Sequence, residues 1–246
     1  MTSLLLPLAS CSSDAGTEAS DSRPSTTSDS ASSSRPKITC SRSFADTSDC
    51  TRIARVDIDG SGDEAEVGLV FDKPSKVRVT LPGDRTDEIE IASNEVGGAK
   101  AVAGSARKMQ FYELDGQPGT EIIVPIETEK SGTYFQVFSW RDGELVRLPP
   151  PGFLHDPEVG EDHWTFSLAI SMDRRVLCRD GGISLESNQY TSLDGADVTD
   201  YAFSDDGSDG SWAQVGKTRS GESPSPRTSG TPYFYCEDLR TRALFR

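Results

Sequence analysis

The most specific chemistry in this sequence lies in one acidic loop. Side chains with oxygen atoms recur there at every second residue: Asp57, Asp59, Ser61 and Asp63. Calcium takes about six to eight oxygen ligands in flexible geometry, and this spacing directs several oxygens towards one point. The pattern therefore predicts a calcium site at this loop. The alternative is an ordinary Asp/Gly turn that holds no metal.

The loop differs from an EF-hand in its last ligand and in its flanks. The twelfth position would be Gly68, where an EF-hand needs a bidentate Glu. Residues 51–56 and 67–71 have the composition of strands, not helices. Glu64 or Glu66 could supply a further ligand. Two neighbouring strands must therefore position the carboxylates.

A weaker copy of the pattern begins 56 residues later. Glu113–Gly116 repeats the acidic, apolar, Asp, Gly order of Asp57–Gly60, and a β run follows each copy. Pro118 stands where the first copy has a flexible glycine, which removes a turn option and a backbone donor. We therefore expect calcium at the first loop, and weak binding or none at the second.

Both loops resemble the FG-GAP or VCBS-type repeats, whose signature is an Asp-apolar-Asp-Gly-Asp-Gly loop leading into an apolar strand. The resemblance implies β-propeller blades with calcium in the loop. It also implies an exported protein whose partner is an extracellular protein or carbohydrate. Two copies are fewer than a closed propeller contains, so a β-sandwich stays open as an alternative.

The body of the chain, residues 38–246, reads as a single all-β domain with many short antiparallel strands. Apolar residues alternate with polar ones, as where Trp164 and Phe166 alternate with His163 and Thr165, and this predicts a half-buried strand. Residues 134–140 are apolar on both faces, which predicts a central strand covered on each side.

The N-terminus has the pattern of a lipid-anchored protein. Residues 1–11 form a short apolar stretch before Cys11, which is a processing signal and not part of the fold. Leu8–Cys11 resembles the bacterial lipobox, which implies cleavage before Cys11 and a diacylglyceryl group on its thiol. Residues 12–37 are rich in Ser and Thr and predict a disordered stalk. Together these features imply an extracytoplasmic body, anchored to the membrane of the cell envelope by lipid.

Four further cysteines predict disulfides in an exported protein. Cys40, Cys50, Cys178 and Cys236 allow three pairings. We favour Cys40 with Cys50, because they are close in sequence. We favour Cys178 with Cys236, because this link ties the terminal strand to the strand at residues 175–179.

The net charge and the motifs that are present or missing exclude several classes of function. A formal charge of −15 argues against a nucleic-acid binder, which needs clustered Lys and Arg. His155 and His163 match no zinc spacing and are interpreted as surface or loop-packing residues. We find no nucleophile elbow, so a catalytic role stays uncertain. The sequence favours a binding or scaffolding module. The alternative is an extracellular hydrolase acting on polysaccharide or phosphoester, with calcium as a structural or catalytic ion.

Overall fold

The computed structural model describes residues 40, 50–92, 108–129, 132–156, 160–167, 172–179, 181–189, 195–204, 210–223 and 233–236. Cys11 and residues 12–37, for which the sequence predicts lipidation and a stalk, lie outside these residues. The fold class is all-β, as predicted, and its strands form three sheets. In the described part of the chain, no helix is long and apolar enough to span a membrane.

Sheet 1 is an antiparallel meander that carries the first acidic loop. Its strands, in chain order, are β1 (Cys50–Val56), β2 (Ala65–Val70), β3 (Lys76–Thr80) and β4 (Thr86–Glu90). In β3, Val77 and Val79 are fully buried, while Arg78 between them pairs with Glu88 on the other face. This period of two is what a strand with one face on the core requires. The loop that begins at Asp57 joins β1 to β2.

Sheet 2 is built around one central strand. Its strands are β5 (Gln110–Tyr112), β6 (Glu121–Glu129), β7 (Gly132–Arg141), β8 (Glu144–Leu148), β9 (His155–Asp156) and β10 (Gly160–Ser167). Strand β7 pairs with β6 along one edge. Along its other edge it pairs with β10 near its start and with β8 near its end. The second acidic loop joins β5 to β6.

Sheet 3 contains the C-terminal strands in the order β14-β13-β12-β11-β15. The strands are β11 (Met172–Arg179), β12 (Gly182–Gln189), β13 (Ala196–Ser204), β14 (Ser211–Glu222) and β15 (Phe234–Tyr235). Strand β15 lies parallel to β11, and the other pairs are antiparallel. Both favoured disulfides, Cys40–Cys50 and Cys178–Cys236, are present. The second one fixes the end of β15 to β11.

Sheet 2 packs between the other two sheets. Alternate residues of β6 belong to different cores: Ile122 and Val124 pack with residues of sheet 1, and Ile123 packs with residues of sheet 3. Val137 and Phe138 of β7 divide between the two cores in the same way. The prediction of a central strand covered on both faces is therefore confirmed. This stack of antiparallel sheets is compatible with blade-like units and with a sandwich.

Strand β10 departs from the predicted half-buried pattern. The face carrying His163 and Thr165 was expected to be exposed, but these residues retain only 4% and 7% of their accessible surface. Trp164 and Phe166 on one face pack in the core shared with sheet 3. On the other face His163 lies near the Ala92 backbone and Arg147, so both faces of β10 are covered. The interpretation of His163 as a surface or loop-packing residue is therefore wrong, since it lies buried within a strand.

Candidate functional site

The first acidic loop is anchored by one apolar residue. Ile58 is fully buried in the core shared by sheets 1 and 2, and the carboxyls of Asp57 and Asp59 on either side of it are half-buried. Ser61 and Asp63 are exposed. The buried apolar residue thus fixes the start of the loop, while the rest projects into solvent.

Hydrogen bonds within the loop fold it around its own oxygens. The N–H of Gly62 donates to Asp57 Oδ2 at 2.9 Å, and that of Ser61 donates to Asp59 Oδ1 at 3.2 Å. The N–H of Asp63 donates to Ser61 Oγ at 3.3 Å. These short-range bonds are typical of turns in which Asp and Ser side chains cap the backbone.

Asp57 and Asp59 bring two carboxyls close together. Asp57 Oδ1 is buried and has no hydrogen-bond donor, and the Asp57 side chain interacts with that of Asp59. Burial acts to raise the pKa of Asp59, but hydrogen bonds from the hydroxyl and N–H of Ser61 outweigh it, so this pKa lies below its usual value. The Asp59 carboxylate is therefore charged at neutral pH, where a cation beside it would be stabilising.

The donor set fits calcium in its chemistry, and only in part in its geometry. All candidate ligands are hard oxygens, as calcium prefers. Among the described residues, no three His, Cys, Asp or Glu side chains converge closely enough to hold a metal ion. An ion held by Asp57 and Asp59 would therefore also need the Ser61 hydroxyl, main-chain oxygens or a movement of Asp63.

In the second acidic loop, a buried carboxyl is neutralised by an arginine of the chain. Asp115 is buried, and its Oδ2 is paired with the guanidinium of Arg141 at the end of β7. Its Oδ1 accepts the N–H of Gln117 at 2.8 Å. The same guanidinium lies 3.6 Å from Oε1 of Glu121, which opens β6.

Glu121 is a fully buried carboxyl with three nearby donors. Its Oε2 accepts the N–H of Leu114 at 2.6 Å, and its Oε1 accepts the hydroxyl of Ser139 at 3.0 Å. Burial raises the pKa of Glu121 to about 7, against the lowering effect of these hydrogen bonds. Sequence reasoning did not find this group. Its only local signal is a charged residue at the start of an apolar strand.

The two acidic loops are in direct backbone contact. A β-carbon added to Gly60 would overlap Pro118, and one added to Gly119 would overlap the carbonyl oxygen of Ile58. Both glycines also have positive φ, 72° and 118°, which other residues rarely adopt. The loops therefore form one unit where sheets 1 and 2 meet.

No family model, no curated protein and no solved structure matches this chain. Its function therefore has to be argued from its own residues.

The histidines do not assemble with the acidic loops. His155 is exposed, whereas both ring nitrogens of His163 are buried and have no hydrogen-bond partner. Burial lowers the pKa of His163, with smaller effects from the Ala92 backbone, Asp162 and Arg147. The buried, neutral imidazole of His163 is part of the packing of β10. Among the described residues, no group of His, Cys, Asp or Glu side chains around it could hold a metal ion.

Proposed function

We propose that the chain is a lipid-anchored envelope protein whose all-β body is a binding or scaffolding module with calcium at the Asp57 loop. The observation that carries the calcium proposal is the buried, donor-free Oδ1 of Asp57 beside the charged carboxyl of Asp59. A buried carboxylate oxygen with no donor, next to a second carboxyl, is a place where a calcium ion would supply the missing partner. The lipobox pattern at Leu8–Cys11 supports the anchor.

The acidic side chains of the second loop support binding over hydrolysis. Glu121 has the raised pKa of a general acid, and Asp115 shares Arg141 with it, as in a carboxylate pair. However, both carboxyls are buried and hydrogen-bonded within the protein. A hydrolase on polysaccharide needs its two carboxyls to reach the substrate. The hydrolase stays the second candidate because of the Glu121 pKa alone.

Thermal unfolding with calcium and with chelator tests the metal proposal. An extracellular calcium module commonly has a Kd of about 10⁻⁴–10⁻³ M. At ten times Kd, calcium should raise the stability by about 1.4 kcal/mol, or roughly 3–6 °C in Tm. The variant Asp57→Asn with Asp59→Asn should lose this response. An exposed carboxylate in the β7–β8 turn gives the matched control, Asp142→Asn, which should keep it.

An unchanged Tm of the wild type on chelation would leave the Asp57 loop as a turn without metal. A response equal in wild type and in the double variant would place the ion elsewhere.

Membrane fractionation tests the anchor. Expressed from its native start, the Cys11→Ala protein should move from the membrane to the soluble fraction, because a diacylglyceryl group supplies the two chains that stable anchoring needs. A Ser10→Ala protein, which keeps the thiol, should stay in the membrane fraction. Retention of the Cys11→Ala protein there would exclude lipid on this cysteine as the anchor.

A further inference from the structure

The positive charge of Arg141 lies between two buried carboxyls of the second loop. Its guanidinium pairs with Asp115 Oδ2 and lies 3.6 Å from Glu121 Oε1. The side chains of both acids have no accessible surface, and that of Arg141 retains 14%. Buried carboxylates need a cation or a proton, since an unpaired buried charge is strongly destabilising. Arg141 supplies this positive charge to Asp115 from within the chain.

The two loops share one hydrogen bond from a backbone N–H to an Asp carboxylate, but they differ in where the corresponding arginine lies. In the second loop the N–H of Gln117 donates to Asp115 Oδ1 at 2.8 Å. In the first, the N–H of Ser61 donates to Asp59 Oδ1 in the same way, at 3.2 Å and 56 residues earlier. The residue 56 positions before Arg141 is Arg85, whose guanidinium instead stacks 5.2 Å from the centre of the Trp140 ring.

We propose that Arg141 is a built-in cation that takes the place of calcium at the second loop. Its guanidinium neutralises Asp115, and Ser139 and the N–H of Leu114 complete the hydrogen bonding of Glu121. Because this positive charge belongs to the chain, the second loop keeps its structure at any calcium concentration. The inference concerns a different loop from the proposed calcium site and does not depend on it.

The test compares the Tm of the full chain in chelator and in 10 mM calcium chloride, a concentration about ten times the weaker Kd limit. In chelator, Arg141→Gln should melt on the order of 10 °C below the wild type, because it leaves the buried Asp115 carboxylate unpaired. Calcium should restore part of this loss and shift the variant more than it shifts the wild type. Arg141→Lys, which keeps the charge, should respond to calcium as the wild type does.

A second variant separates the charge of Arg141 from its packing. Asp115→Asn with Arg141→Gln removes both partners, so it should melt closer to the wild type and gain no extra calcium response. Equal calcium responses of Arg141→Gln and wild type would overturn the inference.

If Arg141→Gln fails to fold, folding of the double variant supports the inference, and failure of both overturns it. A wild type that ignores calcium refutes only the Asp57 site, because the Arg141 inference depends on the difference between variants.

Discussion

Replacement of Glu121 by Gln should stabilise the protein at alkaline pH and leave it unchanged at acidic pH. Burial raises the pKa of this carboxyl from 4.5 to about 7. The folded protein therefore keeps a proton that the unfolded chain releases between these two values. A folded pKa above the unfolded one means that stability is lost as the pH rises through this window.

The size of the effect follows from the shift in pKa. The pKa is about 7 in the folded protein against 4.5 in the unfolded chain, and at about 1.4 kcal/mol per pH unit between them the ionised carboxyl costs about 3–4 kcal/mol above pH 7. Gln resembles the protonated acid and cannot ionise. It retains a carbonyl oxygen to accept the N–H of Leu114, so the hydrogen bond at 2.6 Å need not be lost.

Unfolding of wild type and Glu121→Gln at pH 5, 6, 7 and 8 measures this difference. We expect equal stability near pH 5 and a Tm of the variant higher by about 6–12 °C at pH 8. Glu144→Gln, an exposed acid at the start of β8, is the control and should follow the wild type at each pH. A difference independent of pH, or a variant less stable at pH 8, would show that Arg141 keeps Glu121 ionised and that burial does not control its pKa.

Three further predictions concern other parts of the fold. Since burial lowers the pKa of His163, wild-type stability should fall as the pH drops below about 6.5, and His163→Gln should flatten this fall in unfolding at pH 5 against pH 7.5. Replacing both cysteines of the Cys178–Cys236 link by Ala should cost about 4 kcal/mol in denaturant unfolding, because the link closes a loop of 58 residues. Gly119→Ala should cost clearly more than Gly62→Ala, which meets no neighbouring atom and carries only the strain of positive φ, about 1–2 kcal/mol.

Local sequence patterns were sufficient to predict the central strand β7 and the Cys40–Cys50 disulfide. The apolar run at residues 134–140 specifies a strand covered on both faces, because alternate side chains point to opposite faces and both sets are apolar. The short spacing of Cys40 and Cys50 also favoured their disulfide without knowledge of the sheets. These predictions needed no information about which strand pairs with which.

Contacts that depend on strand pairing could not be predicted from the sequence. Arg141 meets Asp115 across 26 residues only because β7 returns beside β6, and nothing in the sequence fixes that register. The burial of His163 was missed for a related reason, since the Ala92 backbone and Arg147, which lie near it, come from other parts of the chain. The parallel pairing of the two-residue strand β15 likewise carries no local signal.

Burial explains why the two loops suit different cations. The carboxyl of Asp115 is wholly removed from water, where an exchangeable ion would have to be dehydrated and any interval without it would leave a buried charge unpaired. Asp57 and Asp59 lie partly in solvent, so the first loop does not require an ion to fold, and the proposed calcium would add stability by binding the folded state. A fixed guanidinium therefore suits the buried loop, and a weakly held calcium ion suits the exposed one.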